Sequence, residues 1–162
     1  GLVAHGYEYF TDEITLFESK NPLAKPFPIA LCCKSTAWDT LDSFYPELKQ
    51  APSFKRLDGK IVIYITPSVQ SQTLSSSQGL PISILVFPKY DELSETKLLP
   101  ITKVDALQRL FDQCLSIKNK LNVQTVEEIV AWIETVECYE LPNNSLSSAV
   151  SLLSNALNSK ST

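Results

Sequence analysis

The run Lys60-Ile61-Val62-Ile63-Tyr64-Ile65-Thr66 does most to limit what this chain can fold into. Its β-branched and aromatic side chains suit a pleated surface. Its nearly unbroken apolar character predicts a strand buried on both faces in the middle of a sheet. Asp58-Gly59, just ahead of it, is a turn signal, and Pro67 is expected to end it. A second buried strand is expected over residues 82–87, behind Pro81. Ile29-Ala30-Leu31-Cys32-Cys33 is expected at a sheet edge, because Pro28 cannot donate to a ladder. Residues 68–79 are rich in Ser and Gln with little to bury, which predicts a loop.

The last third has helical periodicity. Val104, Leu107, Leu110, Phe111, Cys114 and Leu115 recur at helical spacing behind a capping Thr102. Thr125 with Glu128 three residues later makes a capping box, ahead of an apolar face of Val126, Ile129, Val130, Ile133 and Val136 around Trp132. Residues 137–141 are expected to return to the sheet as a short strand. Ser145 then starts a final helix with Leu146, Ala149, Val150, Leu153, Ala156 and Leu157 facing inward. Upstream, Ser35 or Thr36 can cap a short helix through a packed Trp38 and Leu41, limited by Pro46. The fold class is therefore α+β, a mixed sheet with packed helices, in a single domain over 1–162.

A formal net charge of −4 gives no general attraction for nucleic acid or an anionic membrane. No apolar run approaches the ~20 residues that span a bilayer, so neither partner is expected. Cys32, Cys33, Cys114 and Cys138 lack zinc-site spacing and lie in apolar or amphipathic runs. They read as reduced core residues of a cytoplasmic protein. The absence of any Met suggests a processed, trimmed or fragment start.

The stretch with chemical potential is the β-rich run over residues 7–17, expected as a strand that Asn21-Pro22 breaks, with Asp12 and Glu13 side by side within it. Carboxylates are costly to bury. Either these two face a metal ion or a phosphoryl-transfer centre, or the strand bends there and they face water. Gly6, after Leu2, Val3, Ala4 and His5, reads as the left-handed glycine that ends a helix. Lys89, behind Phe87 and Pro88, sits at a strand end where it could meet a phosphate or simply be solvated. His5 reads as a capping or surface residue, Lys55-Arg56 as a surface basic spot, and Asp91, Glu92 and Glu95 as a solvated acidic loop without a partner.

Residues 2–13 resemble the segment that follows the phosphate-binding loop in the HPr serine kinase/phosphorylase family. There the helix leaving the loop ends at a glycine and the next strand carries an acidic pair. Lys25-Pro26-Phe27-Pro28-Ile29-Ala30-Leu31, Val86-Phe87-Pro88-Lys89-Tyr90, Leu99-Pro100-Ile101-Thr102 and Glu137-Cys138-Tyr139-Glu140-Leu141 follow in the family's order, so the similarity covers nearly the whole chain.

The resemblance implies ATP-dependent phosphoryl transfer to a protein bearing a serine. Asp12 and Glu13 would be the catalytic and magnesium-binding residues, and Lys89 a contact to the nucleotide. Asp12 matches the first aspartate of the family's pair. Glu13 departs from the second, and its extra methylene shifts an oxygen by about a bond length at a site that must hold within ~0.5 Å. Gly1, Gly6, Gly59 and Gly79 form no phosphate loop, and Gly59-Lys60 precedes a strand. By the family's order that loop would lie upstream of Gly1. The chain is thus expected to be the C-terminal portion of an HPr kinase-like domain, inactive alone. Two other readings remain open: a non-catalytic protein- or peptide-binding module that uses a sheet edge or the 68–79 loop, and a small-molecule kinase of the same fold.

Overall fold

The computed structural model describes residues 1–18, 21–27, 29–66, 79–113 and 122–159. Along the chain come β1 (Leu16–Glu18), β2 (Asn21–Lys25), β3 (Leu31–Lys34), the short helix α1 (Trp38–Leu41), β4 (Ser53–Lys55) and β5 (Ile61–Ile65). Then follow β6 (Leu80–Pro81), β7 (Ile84–Tyr90), β8 (Leu99–Pro100), α2 (Lys103–Gln113), α3 (Val123–Thr135), β9 (Glu137–Asn143) and α4 (Leu146–Asn158). The class is α+β, as expected. The sheets run β1-β2-β6, β3-β5-β4 and β7-β9-β8. The chain forms two compact units, Gly1–Leu16 with Lys25–Gly79 and Phe17–Ala24 with Leu80–Thr162.

In the first unit, Asp58-Gly59 makes the predicted turn. Gly59 takes φ +82°, which a side chain would strain. Its N–H donates to the Arg56 carbonyl at 3.0 Å, and Arg56 N–H to the Lys60 carbonyl at 2.9 Å. β5 is central, antiparallel to both β3 and β4. Burial on both faces holds only in part. Ile63 and Ile65 join Cys33, Tyr45 and Leu48 in a core completed by Leu31, Trp38, Leu41, Phe44 and Ala51. On the opposite face Val62 is buried but Tyr64 is exposed, so that face is covered only in part. The helix over 35–45 breaks into a 3-10 turn (Ser35–Ala37) and α1, and neither start carries a side-chain cap. Trp38 is packed as expected, its indole N–H donating to the Cys33 carbonyl at 3.0 Å.

The strand expected over residues 7–17 is absent. Only its end, in β1, is extended and paired, while Thr11 makes an isolated parallel bridge to Phe27 and Asp12 and Glu13 lie in a bend. A strand carried through two adjacent acids would turn one of them toward the core, and bending avoids that desolvation. β1 ends at Glu18, and Asn21-Pro22, expected to break that strand, opens β2. β6 pairs only with Leu23 and Ala24, so Pro22 owes that neighbour no hydrogen bond. Pro28, Pro67, most of the 68–79 loop, Cys114 and Leu115 lie outside the described residues.

In the second unit the expected strand over 82–87 forms as β7, starting two residues later at Ile84 and half-buried rather than buried, with the short β6 ahead of it. β7 runs on through Pro88, which is tolerated because β7 is an edge strand. β9 returns to the sheet as predicted, parallel to β7 and antiparallel to β8. α2 starts at Thr102, whose hydroxyl accepts from Asp105 N–H at 3.1 Å and donates to the Asp105 carboxylate at 2.6 Å. Ala106 is buried and Leu107, Leu110 and Phe111 pack around it, whereas Val104, in the first turn, is 74% exposed.

The cap of α3 is Asn122 rather than Thr125: its side-chain oxygen accepts from Thr125 N–H at 2.8 Å, and Glu128 accepts from Gln124 instead. Asn is among the strongest N-caps, and a start at Val123 rather than Val126 gains the helix most of a further turn. Ile129, Trp132, Ile133 and Val136 form the expected buried face with Cys138, and Val130 lies at its margin. The Lys103 ammonium donates to the Val136 carbonyl, tying the start of α2 to the end of α3. Ser145 caps α4, and Ala149 and Val150 are buried. Among the described residues no helix is long and apolar enough to cross a membrane.

Candidate functional site around Asp12

Gly6 ends a single 3-10 turn (Val3–His5) at φ +89°, and its N–H donates to the Val3 carbonyl at 3.0 Å. This is the left-handed stop that the sequence predicts. His5 donates from Nδ1 to the Gly1 carbonyl at 2.9 Å, and its exposed ring stands 5.5 Å from that of Phe44. The chain then runs alongside the segment that becomes β3. Phe27 N–H donates to the Phe10 carbonyl at 3.2 Å, and the Tyr9 hydroxyl donates to the Ile29 carbonyl. The third tie is Cys32 N–H, which donates to the Asp12 Oδ2 at 3.1 Å.

That last bond has a simple cause. β3 is an edge strand, and an outward N–H on an edge needs an acceptor. The Asp12 carboxylate supplies it, and this leaves Asp12 half-buried and Glu13 exposed. The Thr11 hydroxyl donates to the Ile14 carbonyl and closes the bend.

One charged partner of this region, Arg56, reads in the sequence only as part of a surface basic spot. Arg56 is held above its ordinary range first by Asp58, 3.5 Å away, then by a hydrogen bond with the Cys32 side chain, with Glu13 adding a smaller attraction. Cys32 thus has Asp12 on its amide and Arg56 on its side chain. Burial, followed by the nearby Asp12 carboxylate, raises the Tyr9 phenol. Burial likewise raises the Cys33 thiol, helped by Cys32 and Asp12. Cys32, Cys33 and Cys138 are free thiols. The two residues belong to the flanks of one sheet, Cys32 in β3 and Arg56 just after β4, with β5 between them, and no local spacing foreshadows this.

Lys89 belongs to the second unit and is the penultimate residue of β7, at a strand end as expected. Its side chain is exposed, and its carbonyl accepts from the buried Asn143 side chain at 3.2 Å. Asp91 is not a free acid in a solvated loop. It accepts from Leu93 N–H at 3.0 Å and from the Ser94 hydroxyl at 2.8 Å, and these bonds, the hydroxyl first, hold its carboxyl below the usual range. Glu95 pairs with Lys97 at 2.8 Å.

Asp12 and Glu13 offer the hard carboxylate oxygens that magnesium takes. Among the described residues no group of three or more His, Cys, Asp or Glu side chains could hold an ion, so further ligands would come from water or phosphate oxygens. Gly6 closes a helical turn, Gly59 sits in a hairpin and Gly79 precedes β6, so none of the three opens a helix onto a phosphate. The described residues fit magnesium by donor type but do not by themselves cradle a nucleotide. Comparison with protein-family models, curated proteins and solved structures returns no match for this chain.

Proposed function

We propose that this chain is the acid-bearing part of an HPr serine kinase-like phosphotransferase that passes a phosphoryl group from ATP to a serine hydroxyl of a protein. One arrangement supports the reading. A helical turn closed by left-handed Gly6 leads directly to a carboxylate, Asp12, that a backbone N–H pins against the edge of a sheet. Oδ2 is committed to Cys32, and Oδ1 is the atom that would take the serine proton. Glu13, exposed beside it, would share a magnesium ion, which when bound draws charge from the phosphates. In this reading the phosphate-binding loop precedes the turn that Gly6 closes, and the 162 residues are inactive alone.

The test is ATP-dependent phosphorylation of a serine-bearing acceptor by the full-length protein, wild type against Asp12→Asn. The amide keeps an acceptor for Cys32 N–H but cannot take a proton. Transfer should fall by about a hundredfold or more, and unchanged transfer removes Asp12 from the chemistry. A second reading, a non-catalytic binding module, is favoured by the same bond, because capping the β3 edge gives Asp12 a complete structural role. Magnesium-dependent ATP binding by the full-length protein separates the two, since the module needs none.

A further inference from the structure

The hairpin of β4 and β5 ends its sheet on an open side. Arg56 N–H bonds the Lys60 carbonyl at 2.9 Å, and bonded and non-bonded pairs alternate along an antiparallel ladder. Phe54, opposite Val62, is therefore the next residue to turn its N–H and C=O toward β5, and Ser53 and Lys55 turn theirs outward. β4 is last in the sheet order, with no strand on its outer side among the described residues. Such an edge is a template for an added strand.

The surrounding side chains select the kind of strand. Phe54 (51% exposed) and Tyr64 (47% exposed) share one face, their rings 6.1 Å apart. Arg56, two residues beyond Phe54, belongs to that face by the alternation of the strand. Lys55 is on the other face beside the exposed Ile61, and Leu57 at the tip is fully exposed. Residues 53–60 hold three basic residues and one acid in a chain whose net charge is −4, so the hairpin is a basic spot on an acidic protein.

We propose that the β4 edge binds an extended acidic peptide of a partner protein as an added strand. Its carboxylates would meet Lys55 on one face and Arg56 on the other, and an apolar side chain would lie over Phe54 and Tyr64. A second copy of this chain would set basic residues against basic residues across the edge. Single-stranded nucleic acid could use the charge and the rings but not the backbone of β4. The proposal does not depend on the phosphotransfer reading.

The test is fluorescence anisotropy with the whole chain and three sets of short β-forming peptides, identical except that two neighbouring positions, one on each face of the added strand, are Glu, Ser or Lys. The Glu set should bind about tenfold or more tightly than the Ser set, and added salt should weaken it. Binding should be lost when alternate backbone amides of the peptide are N-methylated, a control that leaves the protein untouched. It should also be lost in the Lys55→Glu/Arg56→Glu variant, with circular dichroism confirming its fold. Equal binding of the Glu and Ser sets, indifference to N-methylation, or full affinity in the double variant overturns the proposal. Tighter binding of oligo-deoxythymidine than of any peptide overturns it in favour of nucleic acid. A concentration-dependent dimer that the same double variant abolishes overturns it in favour of a second copy.

Discussion

The core of the second unit draws Ala106, Ile129, Trp132, Ile133, Val136 and Cys138 from two long helices and a central strand. That of the first draws Cys33, Tyr45, Leu48, Ile63 and Ile65 from a small sheet and turns, with no described helix longer than four residues. A helix satisfies its own backbone, so packing alone can order it. Short strands and turns cannot, and the first unit fills the gap with side chains that bond the main chain: Asp12 to Cys32, Tyr9 to Ile29, Trp38 to Cys33 and Asp58 to Lys60. The candidate site is therefore made of the same bonds that hold its unit together. Polar substitutions should disturb the first unit more than the second, and apolar truncation should disturb the second most.

The largest effect is expected from Ile133→Ala, because Ile133 is fully buried where α3 meets the sheet core. Urea unfolding should show a loss of about 2–5 kcal/mol, and a loss under about 1 kcal/mol would mean that packing does not dominate the second unit. Next comes Asp12→Ala, which leaves Cys32 N–H without its acceptor and should cost roughly 1–3 kcal/mol. Asp12→Asn should cost clearly less. Equal losses for the two would show that charge, not the hydrogen bond, is what the fold needs at this position.

Asn122→Ala should cost about 1 kcal/mol, whereas Thr125→Ala should be close to neutral, since the Asn122 side chain caps α3. The reverse order would return the helix start to Thr125. The smallest effect is the acid limb of the pH profile. Asp58 is held below its ordinary value first by the Lys60 N–H, and Asp91 first by the Ser94 hydroxyl. A carboxyl depressed by folding adds stability above its unfolded value of about 3.9, and that stability is lost as pH falls through the lower folded value. Melting temperatures measured as the pH falls below 5 should therefore drop less steeply in Asp91→Asn than in wild type. Identical slopes would show that the Asp91 bonds do not survive in solution.

Much of the scaffold follows from local pattern. The turn at Asp58-Gly59, the left-handed stop at Gly6, the apolar faces of α3 and α4 and the returning strand β9 each rest on a φ preference or a period that neighbouring residues set by themselves. The α+β class follows from their order. The bend at the acids is one of two readings the sequence allows, and only the tertiary structure decided that Asp12 caps an amide twenty positions away and that Tyr64 in the most apolar strand faces outward. Those outcomes depend on which strand becomes an edge and which face receives the packed layer. A sheet settles both by pairing distant segments, and the residues at the site carry no mark of that choice.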